Sequence, residues 1–389
     1  MSHPDFSDML YGTSFDSHTP DEVVQSKLEP LRNWIKENVP HELYRFRRCS
    51  ERNINALRND EVWGSSIITF NDPFECVPKY DLAEIEDYIN RTLTSENIHA
   101  VFSQLRQGNL TEKLDCFLPH EAVEATKQFS LPDDNRLDAL INSAKAQVFT
   151  FIRNGCAKFD TDFYLGTKSI AYRSSLACFC EENTSTIMWG HYADGHRGFC
   201  LEYDFSKVVN DCSGTCDNTK KYSCPHLMLN YSIAPVTYSA ERFNASAGFM
   251  SIITNYIAQI VIPNTQEYYF DPFIGTKILL TKSLDWSYEK EWRLFHLYGG
   301  ADCKAHRLLA HLKPSAVYLG ALISPDNRKQ IIDICESKEM PCYQMIMNFA
   351  SSNYTVYSLP VGSEEFRTAF EPSPVADTTQ DTSSQEVTL

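Results

Sequence analysis

The chain is poor in glycine, poor in basic residues and free of long apolar runs. Only 15 of its 389 residues are glycine, and neither GxGxxG nor GxxxxGK[ST] occurs, so the common phosphate-binding loops are excluded. A membrane helix needs roughly 18 to 20 apolar residues, and the most apolar segment, residues 250–263, is shorter and contains Asn255 and Gln259. The sequence therefore predicts no membrane partner.

The charge balance bears on the type of partner, and the N-terminal residues bear on the location of the protein in the cell. Lys and Arg number 35 against 51 Asp and Glu, a formal net charge of −16, which argues against a generic nucleic-acid surface. The first twenty residues have neither the basic start nor the apolar core of a secretion signal, so we expect a cytoplasmic protein. Its 13 cysteines are then expected to be thiols or metal ligands, because the cytosol disfavours disulfides.

The residues that are abundant predict a folded α+β protein. Hydrophobic residues make up 43% of the chain, enough for a large core. Helical spacing dominates residues 81–108 and 120–153, whereas short aromatic and β-branched runs typical of strands follow, with helices predicted between them at 246–262, 271–283 and 325–337. Earlier in the chain, SERNINALRND predicts a helix capped by Ser50, and EVWGSSIITF, residues 61–70, predicts a strand. We predict a mixed or antiparallel sheet with flanking helices, organised as a flexible N-terminus (1–20), a single α+β domain (21–360) with a helical layer (81–153) and a Cys-rich loop (210–230), and a disordered tail (371–389).

The Cys-rich loop has the spacing of a metal site. In CSGTCDNTKKYSCPH, a Cys-x3-Cys pair is followed by Cys-x-His, and the four candidate ligands are Cys212, Cys216, Cys224 and His226. Three thiolates and one imidazole at this spacing suit a structural zinc ion. The alternative is that the four are surface side chains in an insertion.

The segment IMWGHYADGHRGFCLEYDF, residues 187–205, is the densest in polar and ionisable groups. It predicts a cap at Thr184 or Ser185, a short helix, a turn at Asp194-Gly195 and a strand from Phe199.

Two interpretations of this segment stay open. His191 lies three residues before Asp194, and an aspartate that orients an imidazole produces a general base. With Tyr192 and Arg197 nearby, we favour a site for the cluster as a whole. Alternatively, each residue bonds backbone groups at a helix–strand corner.

Two further boxes carry charge on predicted strands. In LYRFR, Arg45 and Arg47 share a face, so they are suited to clamping a phosphate or carboxylate; a solvated edge strand is the alternative. In DWSYEKEWRLF, Glu289, Glu291 and Arg293 share a face. Two neighbouring carboxylates need a cation or a ligand, and Arg293 or a bound sugar hydroxyl would meet that need.

The turn in FNDPFE is a third box. Asp72 before Pro73 is ordinary turn chemistry, in which the carboxylate bonds the backbone. Glu75 has no role in such a turn and stays a candidate for a site.

The boxes together resemble a bacterial family catalogued as domain of unknown function 2971. LYRFR, FNDPFE, CFCEE, MWGHYADGHRGFCLEYDF, YEKEWRL and VYLG match it in order and spacing over residues 43–346. The Cys-rich loop lies outside the pattern. The resemblance implies little chemistry, beyond the association of similar genes with mobile elements and anti-phage defence.

The order of elements also resembles the ADP-ribosyltransferase fold, in which NAD is the substrate. That resemblance implies contacts to NAD from Arg45 or Arg47, support of the nicotinamide ribose by Ser65 or Ser66, and a bond from Glu291 to the ribose 2′-hydroxyl. His191, Tyr192 and Arg197 lie where the transferase core has no required residues, and they would then close over the ligand.

Two hypotheses of different class follow. In the first, the protein is an ADP-ribosyltransferase-like toxin or defence effector: Arg45 holds the pyrophosphate, Glu291 stabilises the oxocarbenium-like charge, and Glu289 prepares the acceptor, a nucleic acid or a protein. In the second, it is a non-enzymatic ligand-sensing or partner-binding module. An enzyme needs Glu291 free in a cleft, whereas a module would lock it to Arg293 or Arg197.

Overall fold

The computed structural model describes residues 3–13, 15–16, 21–108, 120–157, 174–206, 231–246, 269–270, 273–297 and 306–370. The helices in these ranges are α1 (Pro4–Gly12), α2 (Asp21–Asn38), α3 (Glu51–Arg58), α4 (Leu82–Thr92), α5 (Ser95–Arg106), α6 (His120–Lys127), α7 (Asp134–Ala157), α8 (Thr186–Tyr192), α9 (Ile274–Leu279), α10 (Pro325–Ser337) and α11 (Glu364–Phe370).

The strands in the same ranges are β1 (Phe15–Asp16), β2 (Leu43–Arg47), β3 (Glu61–Ser65), β4 (Ser174–Cys180), β5 (Phe199–Tyr203), β6 (Tyr231–Pro235), β7 (Thr237–Ser239), β8 (Tyr269–Phe270), β9 (Thr281–Ser283), β10 (Glu291–Leu297), β11 (His306–His311), β12 (Ala316–Leu319), β13 (Cys342–Met347) and β14 (Val356–Pro360). Most of the pairings are antiparallel, so the predicted α+β class is confirmed.

The chain divides into two compact units, each assembled from three separate stretches. The first unit comprises Met1–Leu43, Glu61–Glu181 and Asp204–Leu312, and the second comprises Tyr44–Asp60, Glu182–Tyr203 and Lys313–Leu389. Neither unit is a continuous segment, so the division does not cut the chain into sequential domains. The single domain over residues 21–360 stays a prediction.

In the first unit, β10 is the central strand of the part that matters for the site. It pairs antiparallel with β4 on one side and β6 on the other, while β3 lies between β11 and β4. A short parallel pair, β7 with β9, sets Tyr238 opposite Lys282. Helices α4 to α7 lie within residues 81–108 and 120–157, where helical spacing predicted helices, and Ile85 and Ile89 form a small core there.

In the second unit, β2, β5, β12, β13 and β14 lie in that order. The β5–β12 and β13–β14 pairs are antiparallel and β12–β13 is parallel. The predicted cap of α3 is confirmed, because Ser50 Oγ accepts the Asn53 amide at 3.4 Å. The helix predicted for residues 325–337 has those bounds.

Three local predictions are corrected. The N-terminal residues expected to be flexible include α1, in which Phe6 and Leu10 are fully buried, because side chains four residues apart share one helix face and pack together. The helix predicted for residues 271–283 stops at Leu279, and its last residues form β9. The strand predicted for residues 61–70 ends at Ser65 and continues as a 3-10 turn, Ile67–Thr69.

Some predictions lie outside the described residues. These are the four zinc candidates in the Cys-rich loop, the tail at 371–389 and most of a helix expected at 246–262. Within the described part of the chain, no helix is long and apolar enough to cross a membrane.

Candidate functional site

The site begins with an irregular approach to β10. A 3-10 helix over Leu284–Glu289 ends at Lys290, whose φ of 46° is left-handed, an uncommon conformation for a residue with a side chain. Glu289 therefore lies on this helix, and only Glu291 and Arg293 lie on the strand, which corrects the expectation that all three share a strand face. The two carboxylates nevertheless reach the same cation.

That cation is Lys282 on β9. Its Nζ lies 2.5 Å from Glu289 Oε2 and 3.0 Å from Glu291 Oε2, and a third carboxylate oxygen, Glu75 Oε2, is 3.5 Å away. The Lys282 side chain is 6% exposed and the three glutamates 2–4%. One ammonium with three protons thus faces three buried carboxylates.

Arg293 closes the other side of the cluster. Its Nε and Nη2 donate to the two oxygens of Glu291 at 2.8 and 3.0 Å, the bidentate geometry that makes such pairs strong. Nη2 also donates to Glu75 Oε1 at 2.7 Å, and Nη1 donates to the Leu279 carbonyl. The Arg293 residue is fully buried.

The FNDPFE turn delivers Glu75 to this cluster. Asp72 Oδ1 accepts the Phe74 amide at 2.8 Å, which is the turn chemistry expected for Asp72. Cys76 then adopts a φ of 56°, and Glu75 is 5% exposed. Glu75, which has no role in the turn itself, is therefore the residue that contacts Lys282 and Arg293.

The charges of the cluster shift the pKa values of its members. Burial by itself would raise the pKa of Glu291, but Arg293 and Lys282 outweigh it and hold that pKa well below its ordinary value. Burial would lower the pKa of Lys282, yet Glu291 and the other carboxylates raise it above its ordinary value. Glu291 is consequently an anion and Lys282 a cation at neutral pH.

The cluster brings three carboxylates together with two cations. The carboxylates are those of Glu75, Glu289 and Glu291, and the cations are Lys282 and Arg293. Around them, burial raises the pKa values of the Cys76 and Cys178 thiols and of the Tyr238 hydroxyl, so these groups stay neutral.

A cleft of about 340 Å³ adjoins the cluster, with Cys76 and Lys282 in its wall. The FNDPFE turn forms one side, residues 239–243 form another, and β9 with the following 3-10 helix forms the third. Its lining combines aromatic rings with acidic side chains: Phe74, Phe243, Trp286, Asp72, Glu241 and Asp285. A concave surface of this composition is suited to holding a small ligand.

Sequence reasoning missed Lys282, Cys76 and Tyr238. Lys282 follows the apolar run Ile278–Leu280, and a lysine in such a setting is a signal that a buried partner exists. Tyr238 Oη accepts the Glu291 amide at 2.8 Å, a contact that has no signature in the sequence.

Ser66 and the arginines of β2 were predicted to bind the cofactor. Ser66 belongs to the first unit, is 2% exposed, and its carbonyl accepts the Thr69 amide and hydroxyl. Arg45 and Arg47 belong to the second unit. Arg45 is 6% exposed, and Arg47 Nη1 donates to the neighbouring Phe46 carbonyl at 3.1 Å.

Residues 187–203 of the dense polar segment lie in the second unit and have the predicted local structure. Ser185 caps α8 by accepting the Met188 amide, and Asp194 and Gly195 have φ values of 53° and 61°. Trp189 is fully buried, and a Cβ on Gly198 would lie 2.1 Å from the Arg47 carbonyl oxygen. Much of this segment's composition therefore serves a tight helix–strand corner.

The candidate catalytic and binding residues of that segment lie at its surface. His191 and Arg197 are exposed and Tyr192 is half-buried. The His191 and Tyr192 rings meet edge-on with centroids 6.1 Å apart, and Arg197 Nη1 donates to the Asp194 carbonyl at 3.4 Å. Among the predicted site residues, Glu289 and Glu291 are the two that the described contacts bring together, and both contact the ammonium of Lys282.

The described residues contain no group of three or more His, Cys, Asp or Glu side chains that would hold a metal ion. The three glutamates around Lys282 are already engaged by that ammonium. Zinc at Cys212, Cys216, Cys224 and His226 stays a prediction, to be checked by elemental analysis of the purified protein.

Comparison with known proteins finds a family match for part of this chain. Neither the curated proteins nor the solved structures contain a significant match. Residues 188–294 match the model of DUF2971, described as a protein of unknown function. They include all but the first residue of the dense polar segment, together with Lys282, Glu289 and Glu291, and over this range the match supports the family resemblance predicted from the sequence boxes.

Proposed function

We propose that this protein is a ligand-binding module and that its ligand occupies the cleft beside the Glu75–Lys282–Arg293 cluster. The observation that carries the proposal is the clamp on Glu291. Arg293 engages both carboxylate oxygens and Lys282 engages one of them again. A buried carboxylate that accepts three hydrogen bonds from two buried cations is occupied by the chain's own groups, so it serves the site as structure.

The geometry also gives the cleft a rigid wall. The buried cluster holds Lys282 through Glu75, and it holds the end of the FNDPFE turn through the contacts of Arg293 with Glu75 and Cys76. Groups held in one position before a ligand arrives lose little conformational entropy on binding. A module that recognises a small ligand benefits from this arrangement.

An ADP-ribosyltransferase-like enzyme that uses NAD is the second candidate. One observation favours it: Glu289 and Glu291 meet at Lys282, and Glu291 is kept ionised. A fixed anion of this kind would stabilise the positive charge that develops as nicotinamide leaves. In this candidate Arg45, Arg47, Ser66, Tyr192 and Arg197 bind NAD, His191 joins the two glutamates in catalysis, and the acceptor is a nucleic acid or a protein.

The first experiment separates the two candidates on the wild-type protein. Protein is incubated with NAD and cell extract, and nicotinamide release is followed. The module predicts no release above that of extract alone. Release that rises with protein concentration, and that falls about a hundredfold or more in a folded Glu291→Gln variant, would establish the enzyme instead.

The second experiment tests the cleft. Ala240 lines the cleft and is exposed, so Ala240→Trp fills it without disturbing the core. Ala83 on α4 is exposed and lies outside the cleft lining, so Ala83→Trp is the matched control. Small molecules released on heat denaturation are compared by mass spectrometry. A molecule retained by wild type and Ala83→Trp and lost from Ala240→Trp supports the module; equal retention by all three contradicts it.

A further inference from the structure

We infer that the ligand of this cleft presents an organic cation, an ammonium or guanidinium group, to the Asp72 and Asp285 carboxylates of its lining. The inference rests on the proposed function, since it names the chemical class of that module's ligand. It is carried by the cleft's charge, by its aromatic rings and by its size.

Acidic side chains outnumber basic ones in the lining of the cleft. Asp72, Glu241 and Asp285 line it against two basic lining residues, Arg242 and Lys282. Lys282 Nζ is engaged from behind by three glutamates. Glu241 is paired with Lys79 at 3.3 Å in an exposed contact, which compensates little. A cation entering the cleft would meet the carboxylates of Asp72 and Asp285.

The aromatic rings of the cleft already receive cations from the chain itself. The Arg242 guanidinium carbon lies 5.9 Å from the centroid of Phe74, and Lys282 Nζ lies 5.1 Å from the centroid of Trp286. Both distances fall within the range of cation–π attraction. Phe74 is 55% exposed and Arg242 is exposed too, so a ligand cation can take the place that the Arg242 guanidinium occupies on that ring.

A metal ion fits this lining poorly. Hard cations require several oxygen ligands that converge at short distance, and the described residues contain no such group. Aromatic faces give a hydrated metal ion little, whereas they attract ammonium and guanidinium groups. An anion is disfavoured by the same excess of carboxylates.

The volume limits the size of the ligand. About 340 Å³ is at the small end of the range for ligand pockets. That suits a diamine, an amino acid or a single basic side chain of a peptide. A whole dinucleotide would extend beyond the cleft.

Agmatine, with a guanidinium at one end and an ammonium at the other, is the probe. Calorimetry at low salt is expected to detect saturable binding to the wild-type protein. Asp72→Asn and Asp285→Asn should each weaken it by about tenfold. At position 72 asparagine keeps an oxygen that can accept the Phe74 amide, and at position 285 it keeps one that can accept the Ser283 hydroxyl. The backbone around both positions should therefore keep its geometry. Asp87→Asn, in an exposed pair with Arg91 on α4, is the control and should leave affinity unchanged.

n-Butylurea is the neutral comparison, because it has the shape of the guanidinium end without its charge. Binding of n-butylurea as tight as that of agmatine overturns the inference, as does agmatine binding that both cleft variants leave intact. The inference is also overturned if the protein binds Mg²⁺ or Ca²⁺ and does not bind agmatine. If a neutral or anionic molecule is retained in the cleft in the Ala240 experiment, the ligand class is wrong and the module stands; if nothing is retained and agmatine does not bind, both proposals fall.

Discussion

Arg293 is the residue on which the buried cluster depends most. It contacts two glutamates, a backbone carbonyl and a thiol while being wholly excluded from water. Buried ion pairs of this kind add little net stability compared with apolar residues. Removing one partner is nevertheless strongly destabilising, because the other is left as an uncompensated charge in the protein interior. The cluster is therefore more sensitive to substitution than its modest net contribution suggests.

Replacing Arg293 with Met should cost about 3–5 kcal/mol in the free energy of unfolding, because Glu75 and Glu291 lose their main cation. Arg293→Lys should recover only part of this loss, since lysine cannot make the two-pronged contact. Urea denaturation measures the effect, and Arg91→Met, in an exposed pair with Asp87, is the control at about 0.5 kcal/mol or less. A fully stable Arg293→Met variant would show that the cluster is not ionised as described.

His296 gives β10 a pH dependence of its own. Burial, helped by the charge of Arg307, lowers the pKa of His296 to about 4. The unfolded chain binds this proton near pH 6.5, so the contribution to stability is complete above about pH 6.5 and is lost as the pH falls towards 4. His296→Gln should remove this part of the acid loss, by about 1 kcal/mol because the ring is partly exposed. Melting temperatures at pH 7 and pH 4.5 check it; parallel losses in both proteins would contradict it.

At the scale of elements, α1 owes its order to tertiary contacts. Phe6 packs on Trp34 with ring centroids 5.1 Å apart, and His3 Nε2 lies 2.8 Å from Glu181 Oε1. Tyr11 Oη bonds Thr281 beside Lys282, and Ser7 Oγ bonds Thr237 at 2.6 Å. A nine-residue helix is marginal alone, so these contacts hold it in place and cover β7 and β9.

Phe6→Ala should therefore destabilise the protein by about 3 kcal/mol. His3→Gln should cost about 1 kcal/mol or less, because its pair with Glu181 is partly exposed. Protease sensitivity at the N-terminus should rise in Phe6→Ala alone, and sequencing of the first fragments checks this. A Phe6→Ala protein with wild-type stability would mean that α1 contributes nothing to the fold.

At the scale of the whole molecule, charge is the dominant property. A net charge of −16 repels itself in the compact state, and salt screens that repulsion. Raising NaCl from about 10 to about 150 mM should raise the melting temperature by about 2 °C. KCl should give the same shift if screening is the cause, and a lower melting temperature in either salt would contradict the explanation.

Local rules let the sequence determine much of this protein by itself. The Ser50 and Ser185 caps, the turn at Asp194-Gly195 and the helix over residues 325–337 follow from side-chain hydrogen bonds and periodicity within a few residues. The motifs shared with the family, and Glu75 as a candidate site residue, could be recognised in the sequence for the same reason.

Only the tertiary structure decided the site and the N-terminus. Arg293 and Glu75 are 218 positions apart, and they meet because strand register and a turn bring both to Lys282. No local pattern specifies such a meeting, since the free energy of a buried charge depends on which groups surround it. The same holds for α1, which became ordered because its apolar face found a partner in Trp34 and not because its sequence demanded a helix.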